Sequence, residues 1–311
     1  MKIVFMGTPE FAVPYLEYLY KENFDVAMVI TQPDRPKGRG KKLQSPPIKE
    51  LADKFLIPVF QPVNINSNES LDTLRDIKPD IYITVAFGQI LSKKVLDIPA
   101  IGCINVHASL LPKYRGAAPI QWALLNGDSE TGITTMFSDE GMDTGDMLLK
   151  DTVSIDENMT FIELHDKLSE LGVGTLGKTL EKIKAGNIER IKQNNNEASL
   201  APLKPLRNKE ICKIDWNKSS KTIHDLIRGL TPYPGAFTFY KGKRMKVFNS
   251  SYFACPTHKH RPGEIVEINK CDMSVATGDG LLVINDIQLE NCRKICIEEC
   301  GHNFMEGEKL E

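Results

Sequence analysis

The chain has no uncharged apolar run near the about 18 residues a membrane-spanning helix requires. MKIVFMGTPEF begins directly on a strand pattern, without the basic, apolar and small-residue sections of a secretory leader. A cytosolic location and a reducing compartment are therefore expected. Paired C-x-x-C spacing is missing as well, and the cysteines at 103, 212, 255, 271, 292, 296 and 300 are odd in number. Free, packed thiols are the expectation, although Cys292, Cys296 and Cys300 would share a face if they lay on one helix. Cys255, His258, His260 and His302 offer metal-ligand chemistry without metal-site spacing, so no metal is expected.

Three sequence motifs are absent or incomplete. The first strand turns through GTPEFA, with one glycine in place of the three of G-x-G-x-x-G, which leaves dinucleotide binding unsupported. GRGKK (38–42) lacks the Walker A glycine spacing, and neither Ser nor Thr follows its lysines, so ATP is not indicated. The Asp-Thr-Gly at 143–145 occurs once, in a domain whose pattern is α/β, against the all-β aspartic proteases. Net charge is nearly absent too, at -2, but its distribution is not even. Residues 204–270 hold fourteen Lys and Arg against five Asp and Glu, a balance of +9 that leaves -11 for the remainder. One-signed charge concentrated in one segment points to a polyanionic partner.

What is present is the composition of a globular protein, 41% hydrophobic and 26% charged, in 311 residues, enough for two cores. Apolar runs at 2–7, 25–32, 80–87, 102–107 and 133–137 read as strands, separated by helical stretches such as 117–127. That alternation predicts a doubly wound, mostly parallel α/β sheet whose ligands bind beyond the strands' carboxyl ends. The loops after 7, 32, 87 and 107 are expected on one cleft. A long helical pattern at 161–186 closes a first domain of residues 1–190, and the polar, proline-bearing stretch 191–206 reads as a linker. Residues 207–311 combine one helical stretch (220–230) with short alternating segments, which suggests a small antiparallel β-barrel.

In GCINVHASLLPKYRGAAPIQ (102–121), Asn105 and His107 stand at i and i+2 of a strand and point to one face. Asn-x-His-x-Ser-Leu-Leu-Pro, followed by Asp143 in the glycine-flanked EGMDTGDM, resembles the folate-dependent formyltransferases. The resemblance implies that Asn105, His107 and Asp143 are catalytic, and that Ser109, Leu110, Leu111 and Pro112 lie against the folate. VAFGQILS resembles the segment that wraps the pteridine ring, which assigns Phe87, Gly88, Gln89, Ile90 and Leu91 to the cosubstrate, 10-formyltetrahydrofolate. The residue types suit the chemistry: amine attack on a formyl amide develops an oxyanion, and an amide and an imidazole are hydrogen-bond donors for it.

Family members act on purine precursors, sugar amines or charged tRNA. FMGTPEFAVP, TQPDRPKGRGKKL, IDWNKSS and IRGLTPYPGAF extend the resemblance along nearly the whole chain, to the branch whose acceptor is the methionyl amine of initiator tRNA. In that branch the loop after the second strand meets the tRNA acceptor stem, which implies tRNA contacts for Arg35, Lys37, Arg39, Lys41 and Lys42, with Arg39 at the functional arginine. An OB-like fold is implied for the basic C-terminal module. A sugar-amine formyltransferase and a non-catalytic RNA-binding protein are the alternatives, and a monomer is expected. Residues 291–311 depart from the family pattern, with a cysteine-bearing turn where a glycine- and lysine-rich one is usual.

Overall fold

The computed structural model describes residues 1–37, 42–208, 211–254 and 259–311. They form two compact units that alternate along the chain: Met1–Ala117, Thr131–Val153 and His165–Leu200 in one, Ala118–Glu130, Ser154–Leu164 and Ala201–Glu311 in the other. Residues 191–206, for which composition predicts a linker, divide between the units after Leu200.

The first unit is built on β1 (Lys2–Gly7), β2 (Asp25–Ile30), the short hairpin β3 (Arg35–Lys37) and β4 (Lys42–Gln44), β5 (Val59–Phe60), β6 (Ile81–Val85), β7 (Gly102–His107), β8 (Glu130–Phe137) and β9 (Met147–Ser154). Its main sheet runs β5-β2-β1-β6-β7-β8-β9. From β5 to β7 every pairing is parallel, whereas β8 runs antiparallel to β7. Ile3 to Met6 and Ile81 to Val85 are buried at every position, because helices cover both faces of parallel strands and no alternating polar face survives. The helix Val13–Lys21 starts on a proline at its first turn, where a missing N–H costs nothing.

Strand order reverses between β1 and β6, the point at which such sheets open a crevice. There the Thr8 hydroxyl (2.9 Å) and the Gln32 amide (3.2 Å) both donate to the Phe87 carbonyl, tying together the loops after β1, β2 and β6. β6 ends at Val85 rather than at 87 because Ala86 turns into the left-handed region at φ 47°.

The second unit contains β10 (Ala236–Tyr240), β11 (Lys243–Ala254), β12 (Ile265–Ile268), β13 (Met273–Ala276), β14 (Gly280–Leu289) and β15 (Ile295–Cys296). They pair antiparallel in the order β10-β11-β14-β13-β12, with β15 alongside β14. Register shifts at Val247–Ser250 bend β11 as bulges do. The helix Ser220–Leu230 is capped by Ser219, whose side chain accepts from the Thr222 N–H. It packs beside the helix Pro119–Leu125, and at Gly229 a Cβ would lie 3.2 Å from that of Leu124. Trp216, Ile223, Ile227, Met245, Val247 and Leu282 share the core of this unit.

The charge of the second unit is more balanced than its first half suggests. Residues 271–311 carry nine Asp and Glu against three Lys and Arg, so 204–311 totals +3, and Asp128, Glu130, Asp156, Glu157 and Glu163 of the other two segments bring the unit to -2. Lys241 pairs with Glu308 at 2.8 Å and Lys270 with Glu298 at 3.4 Å. Cys292, Cys296 and Cys300, which would share a face only on one continuous helix, do not lie on one. Cys296 lies in β15, only Ile297–Cys300 is helical, and the pattern of period four covers a turn, a strand and one helical turn in succession. The six described cysteines are free thiols, and burial pushes Cys103 and Cys300 up to about 11. Among the described residues no group of three or more His, Cys, Asp or Glu could hold a metal ion, and no helix is long and apolar enough to cross a membrane.

Asp225 and Arg228 form a buried ion pair at 2.7 Å, and Arg228 also donates to the carbonyls of Asp156 and Met159. Lys221 reaches the same carboxylate at 2.7 Å from a half-exposed position. Removing Asp225 leaves a buried guanidinium without its counter-charge, which costs about 3–5 kcal/mol; losing the exposed partner costs about 0–1 kcal/mol. Asp225→Ala is therefore expected to destabilise this unit far more than Lys221→Ala. Denaturant unfolding followed by tryptophan fluorescence reads the difference, since Trp122 and Trp216 both lie in this unit. Equal midpoints for the two variants contradict the expectation.

Candidate active site

β7 delivers Asn105 and His107 to one face at its carboxyl end, level with Met136 and Thr134 of β8. Asn105 is fixed from β6: the Thr84 hydroxyl donates to its Oδ1 at 3.0 Å and to the Ile104 carbonyl at 3.2 Å. That orients the amide with Nδ2 toward the loop between β8 and β9, where it donates to Asp143 Oδ1 at 3.2 Å. An amide nitrogen carries two hydrogens, so this bond uses one of them.

His107 is buried, and its Nε2 lies 2.9 Å from the Tyr114 carbonyl. A carbonyl only accepts, so Nε2 carries the proton and the neutral ring presents a lone pair on Nδ1. Nδ1 faces Asp143 Oδ2 at 3.6 Å, beyond ordinary hydrogen-bond range. The same Oδ2 accepts from the Gly116 N–H at 2.8 Å. Asp143 itself sits at φ 54°, a left-handed conformation that Asp tolerates better than most residues. The structure thus gathers Asn105, His107 and Asp143 around one point. A protonated imidazole there stands beside a carboxylate already held by two donors.

The Ser-Leu-Leu-Pro turn is pinned from inside. The Thr134 hydroxyl donates to the Ser109 carbonyl at 2.7 Å and accepts from the Leu111 N–H at 3.1 Å. Ser109 Oγ donates to the Lys113 carbonyl at 2.6 Å, and Lys150 donates to the Leu111 carbonyl. Burial holds the Lys150 ammonium below the usual lysine range. Ser109, Leu111 and Pro112 are buried, and Leu110 is half-buried.

The second segment is more divided. Phe87 and Leu91 are buried in the core, while Ile90 is 72% exposed. The Gln89 side chain accepts from the Ile65 N–H (2.8 Å) and donates to the Pro62 carbonyl (3.1 Å), so it holds a neighbouring loop. Gly88, at φ 86°, makes the turn that a side chain would oppose. Of the basic loop, Arg35 is exposed and donates to Gln32 Oε1 at 3.3 Å, and Lys37 pairs with Lys42 across the β3–β4 hairpin. Arg39 and Lys41 lie outside the described residues. At the root of this loop Asp34 accepts from Lys49 (2.8 Å) and Gln61 (2.7 Å), which hold its carboxyl below the usual carboxylate range.

Sequence reasoning passed over Thr84, Thr134, Arg115 and Gln193. Thr84 stands between apolar residues in a buried strand and Thr134 beside Thr135 in another, a placement that could have marked them as partners of neighbouring backbone. Gln193 lies in the stretch of linker composition and carries no local signal.

The chain as a whole corresponds to a known class. A formyl transferase family model matches residues 1–180, and that family's C-terminal domain model matches 207–304. The chain belongs to the formyltransferase family. Its curated relatives include the methionyl-tRNA formyltransferase of Acetivibrio thermocellus, 51% identical over 312 residues that span 100% of this chain and 99% of the relative. The enzyme of that name from Clostridioides difficile is 48% identical over 311 residues, 100% of this chain and 98% of its own. Among solved structures, the N-formyltransferase from Helicobacter canadensis in complex with folinic acid and dTDP-3-aminofucose superposes with a TM-score of 0.70 at 22% identity, covering 95% of this chain and 100% of that one. WlaRD, a sugar 3N-formyl transferase crystallised with dTDP and 5-N-formyl-THF, gives 0.68 at 23% identity, with 94% and 99% covered. At these identities the two structures share the fold.

Gly145 closes the Asp143 loop where backbone meets backbone: a Cβ there would stand 1.8 Å from the Phe137 carbonyl oxygen. Gly145→Ala must move the loop, and a displacement of about 1 Å at a catalytic group costs about 10²-fold in rate. Formyl-transfer turnover is expected to fall by that order and the melting temperature to fall with it, because backbone and not a flexible side chain opposes the new Cβ. Wild-type turnover contradicts this placement of the loop.

Proposed function

We propose that this chain transfers the formyl group of 10-formyltetrahydrofolate to the amino group of methionyl-tRNA, the initiator species, giving N-formylmethionyl-tRNA. The observation that carries the reading is the convergence of Asn105, His107 and Asp143 in a chain that is about half identical, end to end, to methionyl-tRNA formyltransferases.

The chemistry follows from the hydrogen-bond pattern. The methionyl amine, with a pKa of about 7.7–8.0 in its free form, has a neutral fraction of about 10–20% at pH 7, and that form attacks the formyl carbon. A C–N bond forms and the carbonyl π pair moves to oxygen. The second hydrogen of Asn105 Nδ2 is the donor for that oxyanion. Nε2 of His107 is committed to Tyr114, so the imidazole acts through Nδ1 as the acceptor of the ammonium proton. The resulting imidazolium faces the Asp143 carboxylate, which lowers the cost of its charge. Collapse of the intermediate expels N10 of the folate, which takes up the proton and leaves as tetrahydrofolate. Ser109 to Pro112 and the backbone of Phe87 to Leu91 form the folate side of the cleft in this reading. Arg35, Lys37, Arg39, Lys41 and Lys42 form a cationic loop suited to the phosphates of a tRNA end.

The test is a formylation assay with charged initiator tRNA, with an amino-sugar nucleotide as competing acceptor. Formylation of the tRNA alone is expected, and formylation of the sugar alone overturns the acceptor assignment. Asn105→Ala removes an oxyanion donor, for which about 10²–10³ in rate is typical. His107→Ala is expected to lose at least as much, with folate binding retained in both. Binding of folate without any turnover by the wild-type chain overturns the enzymatic reading.

Arg39→Ala tests the loop separately. It is expected to raise KM for the tRNA and leave folate affinity unchanged, because a basic loop acts on the anionic substrate. A parallel loss of folate affinity contradicts that role.

A further inference from the structure

We propose that Arg115 and Gln193 are positioning residues that hold Asp143 in its left-handed conformation, an inference that rests on the catalytic reading of the trio. Gln193 Nε2 donates to the carbonyls of Asp143 and Gly145, both at 2.8 Å. Its Oε1 accepts from Arg115 Nε at 3.0 Å and from the guanidinium's terminal nitrogen at 2.8 Å. The orientation of the amide is unambiguous, because a guanidinium only donates and main-chain carbonyls only accept. The same terminal nitrogen reaches Asn195 Oδ1 at 2.9 Å, and Arg115 is only 8% exposed. The planar fork of an arginine fixes the plane of the amide it grips.

The geometry leaves a specific task for this clamp. Asp143 adopts φ 54°, which a non-glycine residue keeps only where its surroundings determine it. Its carboxylate is fixed by Asn105 and Gly116, but those bonds set the side chain and do not reach the carbonyl on its carboxyl side, and the Thr144 hydroxyl beyond it is turned to Asp139 at 2.6 Å. One bond from Gln193 holds the Asp143 carbonyl and the other the carbonyl two residues on, so the backbone from Asp143 to Gly145 is gripped at both ends. Tyr114, Arg115 and Gly116 then divide the work in sequence: the first holds His107 through its carbonyl, the second holds Gln193, and the third holds the Asp143 carboxylate through its N–H. Gln193 therefore acts on the reaction through Asp143 and touches no reacting atom.

Gln193→Glu separates positioning from mere structure. It keeps the acceptor for Arg115 and gains an ion pair, but turns an acceptor toward two carbonyls. Holding Arg115 would be preserved, and locking the loop would be lost. The expected result is at least about a tenfold fall in kcat, little change in KM for either substrate, and a melting temperature no lower than that of Gln193→Ala. In an Asp143→Asn background the substitution is expected to add no further loss, since coupled residues are non-additive. Amide exchange at residues 139–146 should be faster in Q193E than in the wild type. Wild-type turnover in Q193E, a fully additive loss, or unchanged exchange each overturns the proposal. Wild-type turnover in Asp143→Asn overturns instead the catalytic reading of the trio, and the positioning role falls with it.

Discussion

A single carboxylate carries the arrangement. Asp143 draws donors from the end of β7, through Asn105, and from the loop that follows it, through Gly116, and it faces the imidazole of a third residue. A carboxylate half-withdrawn from water is costly unless such donors replace its hydration. The β8–β9 loop meets that requirement in the arrangement it adopts. The glycine at 145 lets the chain pass close enough to Phe137 to reach it. Histidine, asparagine and aspartate are thus held by backbone groups at least as much as by each other.

The Tyr114–Arg115–Gly116 tripeptide is the least obvious part of this design. Each residue acts through a different group, a carbonyl on His107, a guanidinium on Gln193 and an N–H on Asp143, so these three side chains share a common reference frame only about three residues long. The frame is in turn stitched to the chain near Ser199, where Tyr114 N donates to the Ser199 hydroxyl and Arg115 N to its carbonyl, both at 2.9 Å. Preorganisation of this kind fixes geometry before substrate arrives, which is where most electrostatic catalysis has its source.

Much of this was legible from the sequence. The strands at 2–7 and 102–107 and the helix at 220–230 carry strong periodicity, and the structure gives them those same bounds. The doubly wound sheet and the antiparallel second unit followed from how the apolar runs alternate. Other features left no local trace. β5 is two residues long, and β9 alternates so that its polar residues resemble a loop. Antiparallel β8 reads no differently from a parallel strand, because strand direction is set by the connection and not by the residues. Gln193 meets a carbonyl 50 positions away, and backbone acceptors have no sequence signature. The period of four at Cys292, Cys296 and Cys300 is not a helix face, because the chain passes from an irregular stretch to strand to helix across it.

The alternation of the two units has a consequence for how the chain can be divided. The second unit draws Ala118–Glu130 and Ser154–Leu164 from within the first unit's stretch of sequence, and Ala118, Trp122 and Leu125 contribute to its core. A fragment cut at about residue 207, as the C-terminal family boundary invites, leaves behind a helix and a strap that its hydrophobic interior needs. Modularity in the family's sequence record is not modularity of the polypeptide. The nascent chain must release its first 200 residues before either globule can finish, and a graft of the second unit onto another scaffold has to carry those two borrowed pieces with it.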